Sequence, residues 1–239
     1  MTDKKQNTVD LSWKRYLLPP IHPEGVKILL VFIGVSFVIG LFLPFLGWIG
    51  ALLCVFCYYF FRNPDRVTPL GESLVISPAD GIVSNIKEMV PPAELDLGEE
   101  PLLRISIFMS VFNVHVNRAP VGGIVHKMKY RPGKFVNISD KDSEDNERQE
   151  ISILMPSGQK IGCIQIAGLV ARRIYCPLKE GDKLEAGQRF GMIRFGSRLD
   201  VFLPKGVEPK VVLGQIMVAG ETVLADLKAE QKKAEGAVK

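Results

Sequence analysis

The chain has 239 residues, of which 47% are hydrophobic and 23% charged, and its formal net charge is +4. This length supports one sizeable core, and the basic residues are scattered rather than arranged in stripes with interleaved aromatics. Composition therefore argues against nucleic acid as a partner, and it leaves a phosphate-bearing or membrane-surface partner open.

The first predicted elements form a membrane anchor. Residues 1–25 are predicted to be a cytoplasmic N-terminal segment, and Val26 to Phe61 are hydrophobic, with Lys27 the single Lys, Arg, His, Asp or Glu among them. As one helix this stretch would reach about 54 Å, well beyond a hydrocarbon core of about 30 Å. Pro44 and Gly47 interrupt the stretch, so residues 26–61 are predicted to form a helical hairpin that spans or is embedded in the membrane.

Basic residues flank this hairpin on both sides. By the positive-inside tendency, both of its ends face the cytoplasm, and the protein is expected at the cell membrane with its catalytic domain on the cytoplasmic face. The flanking residues are Lys4, Lys5, Lys14, Arg15, Lys27, Arg62 and Arg66. Cys54 and Cys57 read as packing residues because no second ligand pair accompanies them, and no metal site is expected.

Residues 62–239 are predicted to be a mainly β catalytic domain, because short β-rich runs alternate with Gly and Pro turns. A weak internal repeat aligns residues 181–190 with 214–223, each with glycines six positions apart. Such units are typical of a lipoyl-like or barrel-sandwich β core. Residues 139–150 are densely acidic and predict a solvated loop, with a mobile lid as the alternative. Residues 222–237 are rich in Lys, Glu and Ala and predict a frayed C-terminal helix.

Gly196-Ser197 is the dipeptide in this sequence that indicates a reaction of the chain with itself. If Ser197 attacks the Gly196 carbonyl, an N-to-O acyl shift followed by elimination cuts the backbone and leaves a pyruvoyl group at residue 197. Most Gly-Ser pairs are simple turns, so the pair needs supporting residues elsewhere in the chain.

Two further residues are candidates for that support. His115 lies in a β-rich stretch in which Asn113, His115 and Asn117 alternate onto one face, where polar neighbours could fix its tautomer. Asp80 lies in the turn Asp80-Gly81 between two apolar runs. Asp80 could orient His115 as the acid of a triad does, although turn formation alone also accounts for it.

Four motifs occur in order, and together they carry a family resemblance. They are Phe-Arg-Asn-Pro at 61–64, Ser-Pro-Ala-Asp-Gly at 77–81, Asn-Val-His-Val-Asn-Arg-Ala-Pro at 113–120 and Phe-Gly-Ser at 195–197. In this order they closely resemble the phosphatidylserine decarboxylase family in its short bacterial and archaeal form, over about residues 60–227 with the anchor at the expected end.

The resemblance implies a proenzyme that cuts itself between Gly196 and Ser197 into two chains that remain together as a heterodimer. Asp80 and His115 would assist the cut as acid and base, and Ser197 would become the pyruvoyl cofactor. The carbonyl of that group would form a Schiff base with phosphatidylserine. Loss of carbon dioxide would then yield phosphatidylethanolamine.

Two positions depart from the pattern of the longer bacterial relatives. Arg198 follows the serine where those relatives carry Thr or Ser, and Phe112 stands where they carry a second histidine. The proton donor of the decarboxylation step is thus either His115 or another group. Arg172, Arg173 and Arg198 are candidate contacts for the lipid phosphate or carboxylate, and surface arginine is the equal alternative.

Two other functions compete with this interpretation. One is a pyruvoyl decarboxylase for another amine substrate, and the hydrophobic hairpin argues against it because a soluble substrate gives no reason for an anchor. The other is a non-enzymatic, membrane-anchored adaptor with a lipoyl-like core, for which Met128-Lys129-Tyr130 only loosely imitates a carrier motif.

Overall fold

The computed structural model describes residues 17–133, 146–168, 173–194, 196–228, 234 and 236. The chain divides into a first compact unit that ends at Asp65 and a second that begins at Arg66.

The first unit is a hairpin of two apolar helices, α1 (Pro23–Phe42) and α2 (Pro44–Phe60), with Leu43 between them. Each helix begins with proline, whose fixed φ suits the first helical position. Gly40 and Gly47 let the helices approach, because a Cβ on Gly47 would lie 2.8 Å from the Gly40 Cα. Helix α1 is long and apolar enough to cross a membrane, and the shorter α2 is not.

The described residues of the second unit form antiparallel β-strands and a short 3-10 helix at Ala93–Leu95. The strands among the described residues are β1 (Leu74–Ile76), β2 (Gly81–Met89), β3 (Leu102–Met109), β4 (Val116–Arg118), β5 (Gly123–Arg131), β6 (Arg148–Leu154), β7 (Lys160–Ala167), β8 (Ile174–Tyr175), β9 (Lys183–Leu184), β10 (Arg189–Ile193), β11 (Ser197–Phe202), β12 (Ile216–Met217) and β13 (Val223–Asp226). The predicted mainly β fold with an N-terminal helical hairpin is therefore confirmed.

Eight strands form the principal sheet, in the order β12-β2-β3-β11-β7-β6-β5-β9, and this sheet curls into a half-barrel. Its inner face holds the aliphatic core, which includes Ile105, Ile107, Ile151, Ile153 and Val201. Two smaller sheets, β4-β10-β8 and β1-β13, accompany it.

Each half of the sheet runs from a two-residue edge strand, β12 or β9, to a nine-residue strand, β2 or β5, and on to the central β11–β7 pair. The two halves therefore have a pseudo-two-fold relation about that pair. Strand β2 begins Gly81-Ile82-Val83 and its counterpart β5 begins Gly123-Ile124-Val125. Both strands have a register shift just after this valine.

The glycine repeat predicted from the sequence belongs to the same relation. Gly181, Gly187, Gly214 and Gly220 all have φ between 77° and 91°, a region that favours glycine. Each unit of the repeat places a two-residue strand, β9 or β12, on an outer edge of the half-barrel.

The predicted C-terminal helix over 222–237 is wrong at its start. Val223–Asp226 form strand β13, which pairs with β1 from Leu74 to Ile76. Leu224 and Ala225 are fully buried there, so tertiary packing outweighs the local helix propensity of the Ala- and Lys-rich sequence. Most of the later residues, and most of the acidic stretch at 139–150, lie outside the described part.

Gly81 is expected to tolerate no side chain. A Cβ at this position would collide with the backbone carbonyl of Phe108 on the neighbouring strand. Gly81→Ala should therefore lower the thermal midpoint of the full-length protein by about 5 °C or more, as measured by near-UV circular dichroism in detergent. Gly122→Ala is the matched control, because its Cβ would find its nearest neighbours at 3.5 Å. Equal midpoints for the two variants would contradict the tight β2–β3 contact.

Candidate active site

Ser197 lies at one rim of the half-barrel, as the first residue of β11. It pairs with Met109 at the end of β3 on one side and with Ala167 at the end of β7 on the other. Its side chain faces inward and is fully buried. The hydroxyl donates to the Met109 sulfur at 3.3 Å, and this hydrogen bond fixes the position of the Ser197 oxygen.

The peptide group before Ser197 has an unusual setting. Gly196 has φ +60°, in the left-handed region, and the strand begins directly after it. Its carbonyl oxygen accepts a hydrogen bond from the Gly168 backbone N–H at 3.0 Å. A backbone donor aimed at a carbonyl is the arrangement that stabilises negative charge when the carbonyl carbon is attacked.

A buried polar chain continues inward from Ser197. Asn117 donates its amide to the Met109 sulfur at 3.7 Å, and Gln165 donates to the Asn117 side-chain oxygen at 2.8 Å. Asn117, Gln165 and Ser197 are all fully buried. This end of the inner face is therefore polar, whereas the aliphatic residues of the core lie further along the same strands.

His115 precedes β4 by one residue and is fully buried. Its Nδ1 lies 2.9 Å from the Asn113 backbone oxygen. Since a carbonyl oxygen can only accept, Nδ1 carries the proton of the neutral ring and Nε2 is the basic nitrogen. The polar neighbour that fixes the tautomer is thus the backbone of Asn113, because the Asn113 side chain binds Ser110 instead.

The backbone of β10 brings His115 to the same end of the molecule as Ser197. The His115 carbonyl accepts a hydrogen bond from the Ile193 N–H at 3.3 Å, and Ile193 ends β10, four residues before Ser197. His115 also lies two residues before Asn117, a member of the buried polar chain.

Asp80 lies in the predicted turn, immediately before β2. One carboxylate oxygen accepts the Ala219 N–H at 2.7 Å, and the other forms an ion pair with Arg66 at 2.9 Å. These contacts hold Asp80 at the end of β2 that lies beside Met109. Its proposed partnership with His115 stays a prediction.

The three arginines named from the sequence have different settings. Arg172 lies outside the described residues. Arg173 is exposed, and its backbone oxygen accepts the Arg194 N–H at 3.3 Å. Its positive charge lies near Tyr130, whose pKa is nevertheless raised, by burial and by a hydrogen bond to Glu147.

Arg198 faces away from Ser197. Successive side chains on a strand alternate, so Arg198 points to the outer face of the sheet. There it forms an ion pair of 3.0 Å and a hydrogen bond of 3.1 Å with the buried carboxylate of Asp200. Arg104 lies 3.5 Å from the same carboxylate.

Sequence reasoning missed Met109, Gly168 and Asp200, which contact Ser197, Gly196 and Arg198, and Gln165, which contacts Asn117. Asn117 could have been found from its position on the face of His115. Burial raises the pKa of the Cys163 thiol, and that of Cys176 to about 11, so both stay protonated near neutral pH. Over the described residues, no group of three or more His, Cys, Asp or Glu side chains could hold a metal ion.

Comparison with known proteins gives a consistent result. The family model described as phosphatidylserine decarboxylase matches residues 53–225. A phosphatidylserine decarboxylase proenzyme of Cereibacter sphaeroides is 58% identical over 223 residues, which cover 93% of this chain and 96% of the relative.

Two further relatives carry the same name. That of Ruegeria pomeroyi is 60% identical over 211 residues, covering 88% of this chain and 96% of the relative. That of Paramagnetospirillum magneticum is 53% identical over 230 residues, covering 96% of both chains.

The setting of Arg198 generates a test of its role. Arg198→Gln should lower the thermal midpoint by several degrees, because it leaves the buried Asp200 carboxylate with Arg104 as its one described cation, and breaking such a pair costs about 3 kcal/mol. Arg173→Gln, at an exposed arginine, is the matched control and should leave the midpoint unchanged. A full-length Arg198→Gln protein as stable as wild type would show that Arg198 is not held by Asp200.

Proposed function

Because this chain belongs to the phosphatidylserine decarboxylase family, we propose that it cuts itself between Gly196 and Ser197 and then uses the resulting pyruvoyl group to decarboxylate phosphatidylserine. The products are phosphatidylethanolamine and carbon dioxide. The observation that carries the proposal is the Gly196–Ser197 peptide itself, which has a buried hydroxyl on one side and a carbonyl bound by the Gly168 N–H on the other.

The cut begins with the attack of Ser197 Oγ on the Gly196 carbonyl carbon. His115 Nε2 takes the hydroxyl proton, and the Gly168 N–H stabilises the charge that develops on the carbonyl oxygen. The C–N bond then breaks, and the departing amine receives the proton. An ester now joins Gly196 to Ser197 Oγ.

Elimination completes the cut. Loss of the Ser197 Cα proton breaks the Cβ–Oγ bond, so Gly196 leaves with a carboxylate that carries the serine oxygen. The unsaturated residue that remains takes up one water and releases ammonia, which leaves the pyruvoyl group on residue 197. Met109, which accepts from the Ser197 hydroxyl, and the Asn117 amide, which donates to the same sulfur, would hold that group.

The pyruvoyl group supplies an electron sink for the electrons released with carbon dioxide. We assign the later proton transfer to the product carbon to His115 Nε2, because Phe112 occupies the position of a second histidine and is an exposed residue in the turn before β4. Asp80 is assigned a supporting role in maturation, and Arg173 a contact with the substrate phosphate or carboxylate.

Strand pairing supports a stable two-chain product. The fragment that starts at Ser197 contributes β11, which pairs with β3 and β7, and also β12 and β13, which pair with β2 and β1. Cutting one peptide leaves all of these ladders in place. The fragments 1–196 and 197–239 are therefore expected to remain a heterodimer, with the hairpin in the cell membrane and the catalytic unit on its cytoplasmic side.

One prediction of this proposal concerns maturation. Purified protein should consist of two fragments, and the smaller one should lack an N-terminal amine and weigh one ammonia less than a fragment that begins with serine. Ser197→Ala should remain one chain, and His115→Gln should cut 10²- to 10⁴-fold more slowly. Mass spectrometry and timed gel electrophoresis measure both effects.

Two control variants test whether cleavage requires the surroundings of Ser197 or only a Gly-Ser dipeptide. Ser152→Ala removes another buried hydroxyl and should cut normally. Gln159→Ser creates a second Gly-Ser pair, whose glycine is Gly158 with φ +84°. The chain should stay uncut between residues 158 and 159 because this turn is exposed. An intact, amine-terminated wild-type chain would rule out the self-cleaving enzyme.

Another prediction of this proposal concerns the substrate. Carbon dioxide should be released from phosphatidylserine in mixed micelles and not from free amino acids, as measured with carboxyl-labelled substrates. Arg173→Gln should raise the apparent KM about tenfold with little change in kcat, and Arg173→Lys should recover part of the loss. Release from free amino acids would identify a different pyruvoyl decarboxylase, and an unchanged KM would remove Arg173 from the site.

A further inference from the structure

Three large apolar side chains lie in a row across neighbouring strands on the outer face of the half-barrel. Ile216 on β12 pairs with Ile82 on β2, and Ile82 pairs with Phe108 on β3. Residues directly opposite in an antiparallel ladder point to the same face. Ile216, Ile82 and Phe108, here called the apolar row, are 74%, 40% and 38% exposed.

The apolar row is not explained by chance exposure. Single exposed apolar residues are common on any protein, but contiguous ones mark an interaction surface. Strand β12 also lies at the edge of the principal sheet, where an exposed apolar strand invites aggregation unless something covers it. Further along β2 the exposed side chains become polar, at Ser84, Asn85 and Lys87.

The row leads directly to the candidate active site. Phe108 pairs with Arg198, the residue after Ser197, and Met109 pairs with Ser197 itself. The apolar row is therefore in register with Arg198, one residue further from the rim than Ser197. Ile82 is two strand spacings, about 10 Å, from β11.

The pseudo-two-fold relation supplies an internal comparison. The equivalent row at the opposite rim is Lys183, Ile124, Leu154 and Lys160, in which Lys183 replaces Ile216. Ile124 is 43% exposed, nearly the same as Ile82, but its neighbour on the edge strand is charged. The fold therefore does not require an apolar edge, and the three-residue apolar row is confined to the rim of Ser197.

We propose that the apolar row dips into the acyl region of the lipid bilayer and brings the Ser197 rim to the headgroups of membrane phosphatidylserine. The inference rests on the proposed function. Continuity with the scissile peptide favours a lipid surface over a second copy of the chain, because the proposed substrate of that site is itself a membrane lipid. The row ends at Arg198, whose charge is balanced by the buried Asp200 carboxylate, so no uncompensated charge of Arg198 opposes contact with the apolar interior.

The test compares the same headgroup in two physical states. Full-length, matured Ile82→Thr/Ile216→Thr protein is assayed on phosphatidylserine in phosphatidylcholine vesicles, and on dibutyryl phosphatidylserine as soluble monomers. Threonine keeps the β-branched shape at exposed positions, so strand pairing should persist. We expect kcat/KM to fall about tenfold on vesicles and to stay within about twofold on the monomeric substrate.

Ile124→Thr is the matched control and should behave as wild type on both substrates. Equal loss on both substrates, no loss on vesicles, or the same loss with Ile124→Thr would each overturn the proposal. A changed oligomeric mass with loss on both substrates would identify a second copy of the chain as the occupant instead. Failure of the proposed function looks different, because wild type would then release no carbon dioxide from either form of phosphatidylserine.

Discussion

The structure depends on the insertion of β11 between β3 and β7, which hold Ser197 through Met109 on one side and Ala167 on the other. This double pairing fixes the carboxyl side of the Gly196–Ser197 peptide. The amino side is a turn, since Gly196 is in the left-handed region and its carbonyl is bound by Gly168. A peptide held rigidly on one side and bent on the other keeps nucleophile and carbonyl close, which is the proximity that an intramolecular attack requires.

Because side chains alternate along a strand, the neighbouring residues Ser197 and Arg198 point to opposite faces of the sheet. Ser197 points inward, to the polar end of the buried interior, and the buried His115 has a fixed tautomer in which Nε2 is the basic nitrogen. Arg198 points outward, where Asp200 holds it beside Phe108 at the end of the apolar row. One rim of the sheet thus carries the proposed self-cleavage site on its inner face and the apolar row on its outer face.

Much of this could be predicted from local sequence. The helical hairpin is predicted by hydropathy and by Pro44. The four glycines of the repeat predict turns, because a left-handed φ favours glycine. Other features depend on register between distant strands, which no local pattern carries. The contact of Ser197 with Met109 joins residues 88 positions apart, and the ion pair of Asp80 with Arg66 uses a side chain first read as a membrane-flanking charge. Strand β13 replaced a predicted helix because burial against β1 outweighs propensity.

The pseudo-two-fold relation distinguishes Gly196-Ser197 from an ordinary glycine turn. Arg198 pairs with Phe108 as Lys160 pairs with Leu154, so Gly196-Ser197 corresponds to Gly158-Gln159. Both glycines have positive φ, which means that the glycine serves the turn in each half. The halves differ in surroundings: residues 157–158 are exposed in a tight turn, whereas Ser197 is buried against Met109 and Gly196 is bound by Gly168. The reactivity proposed for Ser197 would therefore rest on burial and a backbone donor, added to a turn that both halves of the sheet contain.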